Sequence, residues 1–363
     1  MIKLKLSVYE SPLTMRNLLQ NMPNLRYLTV ETDDINVNGH QWKQIIIEYL
    51  PKLTVFRLKM LFRLNDNDNK EQRVDELLDS FRTPFWLEER QWFIRCDWNR
   101  CQQCDKNNIH LYTLPYAFLY YYFHESDFKS KSTCRHHDDY LSYNHVNTIG
   151  YELIPLSNQV LSHFSFSNLQ NLDLCLPVDD NFWSVVPRFD QLISLKVAPY
   201  HGDNDLDSQS QLQALLDRAP CLYSLRFASW PSSSTQMPPF EYSNKSVRRL
   251  HLQDVDRCYD SQQCAKLSRS PLGIQCEVLS ITVDNRKNVI DLINTMTNLR
   301  ALNVVCRDDT WKEDDNNQSS STEDELIEWL QHCLPSTCTI TRNDDNIYNS
   351  RFIRSRSVRL WIR

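Results

Sequence analysis

Cysteine and histidine side chains at short spacing are the residues of this sequence best suited to chemistry. Cys101 and Cys104 form a C-x-x-C pair, and Cys134 and His136 begin 30 residues after Cys104. Thiolate and imidazole groups at such spacing can complete the tetrahedral ligand set of a zinc ion. Because the second pair lacks the matching x-x spacing, we favour reduced cysteines in an aromatic-rich loop. A zinc-dependent module or enzyme built on these four residues is the alternative hypothesis.

Motifs for catalysis or for a cofactor are missing from the sequence. Its four glycines do not cluster, whereas a phosphate-binding loop needs adjacent glycines so that backbone amides can approach the phosphates. It contains no G-x-S-x-G nucleophile elbow. The carboxylate pairs Asp179–Asp180 and Asp314–Asp315 fall in segments that we interpret as loops with solvated charges, and we do not assign them an acid/base role. We therefore expect a protein that is not an enzyme and holds no cofactor.

A recurring leucine pattern predicts the helices and strands of the chain. Residues 18–30 read LLQNMPNLRYLTV, and the same unit returns at residues 215–227 as LLDRAPCLYSLRF and at residues 292–304 as LINTMTNLRALNV. Each copy joins an apolar helix face to the spacing L-x-x-L-x-L, which is typical of leucine-rich repeats. In another copy at residues 45–58, the strand positions Leu53, Phe56 and Leu58 lie 28 residues after Leu25, Leu28 and Val30 of the first.

Regular repeats occupy the second half of the chain. Their central leucines are separated by 23, 30, 25, 29 and 23 residues, close to the repeat length of about 20–29 expected for this class, and they are Leu172, Leu195, Leu225, Leu250, Leu279 and Leu302. We predict an α/β fold, namely an irregular leucine-rich repeat solenoid with a curved parallel β-sheet on its concave face and helices and loops on its convex face.

The solenoid is expected to span residues 1–363 as a single domain. It divides into N-terminal repeats at 1–82, degenerate repeats with an aromatic-rich and polar loop insertion at 83–160, regular repeats at 161–340 and a C-terminal capping strand at 341–363. Within it, periodicity predicts helices at 208–219, 287–297 and 322–334, the last with Thr322 as its N-cap. Strands are predicted at 91–97 and 109–114, and residues 125–144 are interpreted as an exposed polar loop.

Alternation along the repeat strands predicts which side chains face a partner, because alternate residues point to opposite faces of a sheet. The expected concave face includes Thr29, Ser280, Thr282 and Asn303 beside our partner-binding candidates, which are Tyr27, Arg57, Asp173, Lys196, Arg226, Arg249 and His251. Their locally basic character would suit an acidic segment of a protein partner. The alternative is that these are ordinary solvated strand positions, since outward residues of a soluble sheet are polar in any case.

Charge and composition limit the possible partners and compartments. The net charge of −6 provides no overall attraction to nucleic acid or to an anionic membrane. The first residues alternate charged and apolar side chains, unlike a signal peptide, so the 12 cysteines are expected to be reduced thiols in the cytoplasm or nucleus. We interpret the tail arginines as the charged face of an edge strand and not as a nucleic-acid site; they are Arg351, Arg354, Arg356, Arg359 and Arg363.

Several segments of the sequence also resemble a known protein family. Residues 38–60 (NGHQWKQIIIEYLPKLTVFRLKM) and 74–98 (VDELLDSFRTPFWLEERQWFIRCDW), together with the repeats, resemble a large invertebrate family of F-box-like leucine-rich repeat proteins. The F-box itself is not recognisable ahead of the first repeat helix. The resemblance implies a substrate receptor of an SCF-type ubiquitin ligase, in which an F-box binds the Skp1–cullin complex and the repeats bind the target. Without that module, the chain is expected to be a truncated form or a repeat-only binder.

Overall fold

The chain forms two compact units of mixed helix and strand. Unit 1 comprises Met1–Asn168 and Asp179–Pro187, and unit 2 comprises Leu169–Val178 and Arg188–Arg363. This computed structural model describes residues 2–8, 11–63, 69–99, 108–123, 128–134, 143–151, 166–180, 182–186, 188–199, 205–228, 240–253, 258–308, 325–343 and 357–362. None of the helices in these ranges is both long and apolar enough to span a bilayer.

Unit 1 is built on a sheet with the strand order β1-β2-β3-β5-β4-β7, and β6 pairs in parallel with β8. Its strands are β1 (Lys3–Val8), β2 (Tyr27–Asp33), β3 (Val55–Arg63), β4 (Phe93–Asn99), β5 (Asn108–Leu114), β6 (Tyr120–Phe123), β7 (Phe128–Ser132) and β8 (Thr148–Tyr151). Its helices are α1 (Pro12–Leu19), α2 (Gly39–Tyr49), α3 (Lys70–Ser80), a π-helical turn (Phe85–Glu89) and α4 (Phe182–Val185).

The strand direction changes within the unit 1 sheet. Strands β1, β2 and β3 run parallel, as repeat strands joined by helices must. Strands β3, β5, β4 and β7 are antiparallel, so part of the predicted degenerate-repeat region contains a different kind of pairing. Phe128–Ser132 was expected in a polar loop, and this expectation is wrong. The segment is a strand that pairs with β4, and its residues Lys129 and Lys131 reach the α3 carboxylates Glu71 and Asp75, at 2.8 and 2.7 Å.

The core of unit 1 lies between the sheet and its helices. Asn38 and Gln41 form a capping box at the start of α2, which satisfies backbone N–H groups that the first helical turn leaves without partners. The helix buries Trp42 against Phe56 of β3, with ring centroids 5.1 Å apart. Gly39 lets α2 approach α3 closely, because an added Cβ would collide with the backbone carbonyl of Ser80.

Unit 2 continues the strand–helix alternation with the strand order β15-β16-β14-β13-β12-β11-β10-β9. Its strands are β9 (Asn171–Leu176), β10 (Ser194–Pro199), β11 (Ser224–Phe227), β12 (Arg249–His251), β13 (Val278–Val283), β14 (Ala301–Cys306), β15 (Thr339–Asn343) and β16 (Ser357–Trp361). Its helices are α5 (Asp205–Arg218), α6 (Ser261–Arg269), α7 (Pro271–Ile274), α8 (Lys287–Thr295) and α9 (Glu325–Cys333). Thr322, the expected N-cap of the last helix, lies outside the described residues.

The central leucines of the repeats align across this sheet. Strands β9 to β14 are parallel, and the leucines pair in the order Leu172, Leu195, Leu225, Leu250, Leu279 and Leu302. All six are at most 2 % exposed. Strand β16 then runs antiparallel to β14, with Leu360 opposite Leu302. One buried leucine from each strand therefore forms a continuous row in the core of unit 2.

Candidate functional site

A polar row crosses unit 2 beside the buried leucines. In register, it consists of Asp173, Lys196, Arg226, His251, Ser280 and Asn303. Because successive side chains of a strand point to opposite faces, this row lies on the face turned away from the leucines. Four of the seven partner-binding candidates belong to this row, and a fifth, Arg249, lies two residues before His251 on the same strand. The structure thus brings these five together on one face of unit 2.

Two of the candidates neutralise each other. The Lys196 ammonium lies 2.5 Å from Oδ2 of Asp173 on the neighbouring strand, and both side chains are 38 % exposed. Such a partly exposed ion pair is worth about 1 kcal/mol or less. Its main effect here is to leave little net charge at this end of the row.

Arg226 of this row and Arg249 beside it differ from the other polar residues on the same face. Both side chains are exposed, and within the described part of the chain their guanidinium groups make no hydrogen bond or ion pair. Arg226 is paired in register with His251, and Arg249 with Ser224 of the adjacent strand. Two uncompensated guanidinium groups on adjacent strands create a local positive field, and each offers a planar set of N–H donors that matches a carboxylate.

The far end of the row is held by hydrogen bonds. Asn303 donates from Nδ2 to Oγ of Ser280 at 3.3 Å and accepts at Oδ1 from Nε of Arg359 at 3.0 Å. Arg359, one of the tail arginines, therefore lies on β16 as part of the sheet. The other tail arginines, Arg351, Arg354, Arg356 and Arg363, lie outside the described residues.

The two remaining partner-binding candidates belong to unit 1. Tyr27 begins β2, and the ammonium of Lys3 lies 5.1 Å from the centroid of its ring. Arg57 lies on β3 in register with Thr29. These residues share a sheet face with each other, but they are on a different unit from Arg226 and Arg249. The predicted basic stripe thus divides between the two units.

A cluster around Lys59 was not singled out from the sequence. Lys59 lies opposite Glu31 in the register of β2 and β3, and its ammonium lies 3.5 Å from the centroid of the Tyr120 ring. The Tyr120 hydroxyl donates to Glu31, which also forms an ion pair with Lys5. Burial lowers the pKa of Lys59 to about 8, against the opposing attraction of Glu31. Strand alternation from Arg57 would have placed Lys59 on this face, but its aromatic neighbours come from distant segments.

A second unexpected cluster surrounds Asp97. Arg95 Nε lies 3.1 Å from Oδ1 of Asp97, which also accepts a 2.5 Å hydrogen bond from Ser130. Its Oδ2 accepts from the hydroxyls of Tyr112 and Tyr121, at 2.6 and 3.3 Å. Burial and the nearby Asp97 carboxylate raise the pKa of both tyrosines well above the usual value, so both remain neutral donors. Both carboxylate oxygens of Asp97 accept hydrogen bonds, and Asp97 and Arg95 are buried, which indicates a structural role.

Most residues of the zinc hypothesis lie outside the described residues, and the described candidates Cys134 and Asp179 contribute to packing and to helix capping. The residues outside the described ranges are Cys101, Cys104 and His136, and Cys134 is buried. Among the residues that the structure describes, no group of three His, Cys, Asp or Glu side chains could hold a metal ion. Asp179 accepts from the Tyr151 hydroxyl at 2.8 Å and from the Phe182 amide at 3.0 Å, so it caps the start of α4.

The sequence matches no protein-family model, and no curated protein matches it. Its function is therefore inferred from its own residues, among which Arg226 and Arg249 form the best-supported candidate for binding.

Proposed function

We propose that this chain is a non-catalytic leucine-rich repeat protein that binds a protein partner through the sheet face carrying Arg226, Arg249 and His251. The observation that carries the proposal is the exposure of both arginines, with no counter-charge among the described residues, on a sheet whose other face is filled by aligned leucines. The sheet fixes the backbone positions of the two arginines before a partner arrives, and the conformational entropy lost on binding is therefore that of their side chains.

The partner segment is acidic. Carboxylates can accept paired hydrogen bonds from a guanidinium group, and complementary charge accelerates association and excludes basic competitors. Lys196 and Asp173 already satisfy each other, which limits the recognition site to the β11 and β12 positions. The partner is recognised in the cytoplasm or nucleus, and imaging of a fluorescently tagged chain tests that location.

The resemblance of residues 38–60 and 74–98 to F-box-like repeat proteins supports a more specific role. The bound partner is a degradation target, and the chain is a substrate receptor of an SCF-type ubiquitin ligase. Recovery of Skp1 and a cullin with the tagged chain would support the ligase role. Recovery of a specific partner without them would contradict the ligase role and favour a repeat-only binder.

The binding face is tested by charge reversal. The tagged chain and its Arg226→Glu/Arg249→Glu variant are used to capture proteins from native cytosol, and the captured proteins are quantified by mass spectrometry. We expect the principal partner to fall at least tenfold with the variant. The matched control is Lys266→Glu/Arg269→Glu, which makes the same change of charge at exposed positions of α6 and should retain the partner.

The control also separates the face from overall charge. If both double variants lose the partner equally, binding depends on net charge and the assigned face is wrong. If neither loses it, the partner binds elsewhere on the chain. Circular dichroism of all three proteins would show that each retains its fold.

A further inference from the structure

Strand β1 lies at the end of the unit 1 sheet, and its outer edge pairs with no described strand. The amides of Arg26 and Tyr27 donate to the carbonyl of Ile2, at 3.2 and 3.3 Å. Since alternate residues of a parallel strand direct their peptide groups to opposite sides, Lys3, Lys5 and Ser7 direct theirs away from β2. The outer edge of β1 is therefore a template of N–H and C=O groups for another strand.

The apolar row of the unit 1 sheet is also incomplete at this edge. Leu4 is in register with Leu28 of β2, and Leu6 with Val30. Leu28 and Val30 are fully buried, but Leu4 and Leu6 are only half-buried, as is Val8 at the end of the strand. An additional strand with apolar residues at alternate positions would complete the burial of this row.

The opposite face of the edge is basic. Lys3 and Lys5 are exposed on β1, and although Lys5 lies 3.2 Å from Glu31, its side chain remains 61 % exposed. Like charges on neighbouring strands oppose pairing, and opposite charges favour it. Two lysines on one edge thus discourage a basic strand and favour an acidic one.

We propose that β1 accepts an additional β-strand from a partner protein, namely an extended segment in which acidic and apolar residues alternate. The apolar residues of that segment continue the row of Leu4, Leu6 and Val8, and its carboxylates face Lys3 and Lys5. Backbone hydrogen bonds to the outward peptide groups of β1 supply affinity, and the alternation supplies specificity. This surface is independent of Arg226 and Arg249.

Short labelled peptides test the chemistry of the partner. The probes are a blocked peptide of alternating glutamate and valine and a second peptide with lysine in place of each glutamate, both fluorescein-labelled. Fluorescence anisotropy with the full chain should show at least tenfold tighter binding of the glutamate peptide. Equal binding of the two peptides, or binding of neither, would overturn the proposal.

Variants of β1 test whether the edge itself is occupied. Ser7→Pro removes an outward N–H, and proline is tolerated at an edge where that N–H faces solvent. It should weaken binding of the glutamate peptide at least tenfold, whereas Ser7→Ala should bind like the wild type. Full binding by Ser7→Pro would exclude pairing at β1.

Two further measurements keep the proposal open to refutation if Ser7→Pro does not fold. Lys3→Glu should reduce the preference for the glutamate peptide over the lysine peptide, and an unchanged preference would refute the charge argument. Sedimentation of the wild type as a dimer and of Lys3→Glu as a monomer would show that a second copy occupies the edge, which would also overturn the proposal.

Discussion

The hydroxyl of Tyr112 donates a 2.6 Å hydrogen bond to Oδ2 of Asp97 in the interior of unit 1. The same carboxylate faces Arg95, and both charged side chains are less than a tenth exposed. A buried charge is tolerated only when its partners satisfy it. Asp97 therefore joins β4 to the antiparallel strands and tyrosine-rich segments around it.

Removing this carboxylate should strongly destabilise the protein. Asp97→Asn preserves the side-chain shape but leaves the Arg95 guanidinium buried without its counter-charge, which costs about 3–5 kcal/mol. Urea denaturation followed by tryptophan fluorescence measures the loss. The control is Asp79→Asn, which breaks an exposed ion pair with Arg82 and should cost less than about 1 kcal/mol. Equal effects of the two variants would show that Asp97 is not buried as described.

Lys59 should make stability depend on pH in the alkaline range. Burial lowers its pKa from 10.5 to about 8, so between these values the unfolded chain binds more protons than the folded one. The free energy of unfolding contributed by this group therefore rises with pH across that window. We expect wild type to gain stability relative to Lys59→Met as the pH is raised from about 7 to 9.5, measured by urea denaturation at each pH.

Comparison with the variant isolates this group from other titrations. Tyr112 and Tyr121 have raised pKa values, so their contribution to stability is lost only as the pH rises above 10, and it cancels in the difference. Lys266→Met, which removes an exposed lysine of α6, is the matched control for the loss of one positive charge. A difference between wild type and Lys59→Met that does not change with pH would contradict the lowered pKa of Lys59.

The sequence could predict the repeat strands because their signal is local. In the spacing L-x-x-L-x-L, a short stretch of sequence indicates both the period of the strand and the positions that are buried, as at Leu222, Leu225 and Phe227. Strands β4, β5 and β16 were likewise expected near their observed positions. Assignment of Arg226 and Arg249 to an outward face followed from the same alternation.

Features that depend on distant residues could not be predicted in this way. The Tyr120 hydroxyl donates to Glu31, which lies 89 residues earlier, and Ser130 reaches Asp97 across 33 residues. Strand β7 was not predicted because its lysines are typical of a solvated loop. The local sequence does not show that carboxylates of α3 pair with them. Whether a polar side chain is buried depends on the partner that it finds in the fold and not on its residue type. The periodicity of a single sequence carries no information about that partner.

Cysteine reactivity should separate the core thiols from the surface thiols. Burial raises the pKa of Cys264 and Cys276 to about 12, so almost none of the reactive thiolate is present near neutral pH. Cys221 and Cys333 are exposed. With iodoacetamide at about pH 8, mass spectrometry should show rapid labelling of the exposed pair and labelling of the buried pair only after unfolding in guanidinium chloride. Comparable native rates for Cys276 and Cys333 would contradict the packing of unit 2.

The aligned leucines should contribute more to stability than the apolar residues beside them. Leu225 is fully buried and lies in register between Leu195 and Leu250, so Leu225→Ala leaves a cavity and should cost about 2–5 kcal/mol. Tyr223, two residues earlier, is 43 % exposed. Tyr223→Ala removes a larger side chain but should cost less, because much of that side chain already contacts water.

Urea denaturation of both variants measures this difference directly. If the row of leucines is the core of unit 2, the loss at Leu225 exceeds the loss at Tyr223 although the tyrosine loses more atoms. A loss of less than about 1 kcal/mol at Leu225 would mean that this leucine faces solvent, as it would after a one-residue slip, which exchanges the two faces of a strand. Such a slip would also turn Arg226 inward, so this pair of variants tests the register on which the proposed binding face depends.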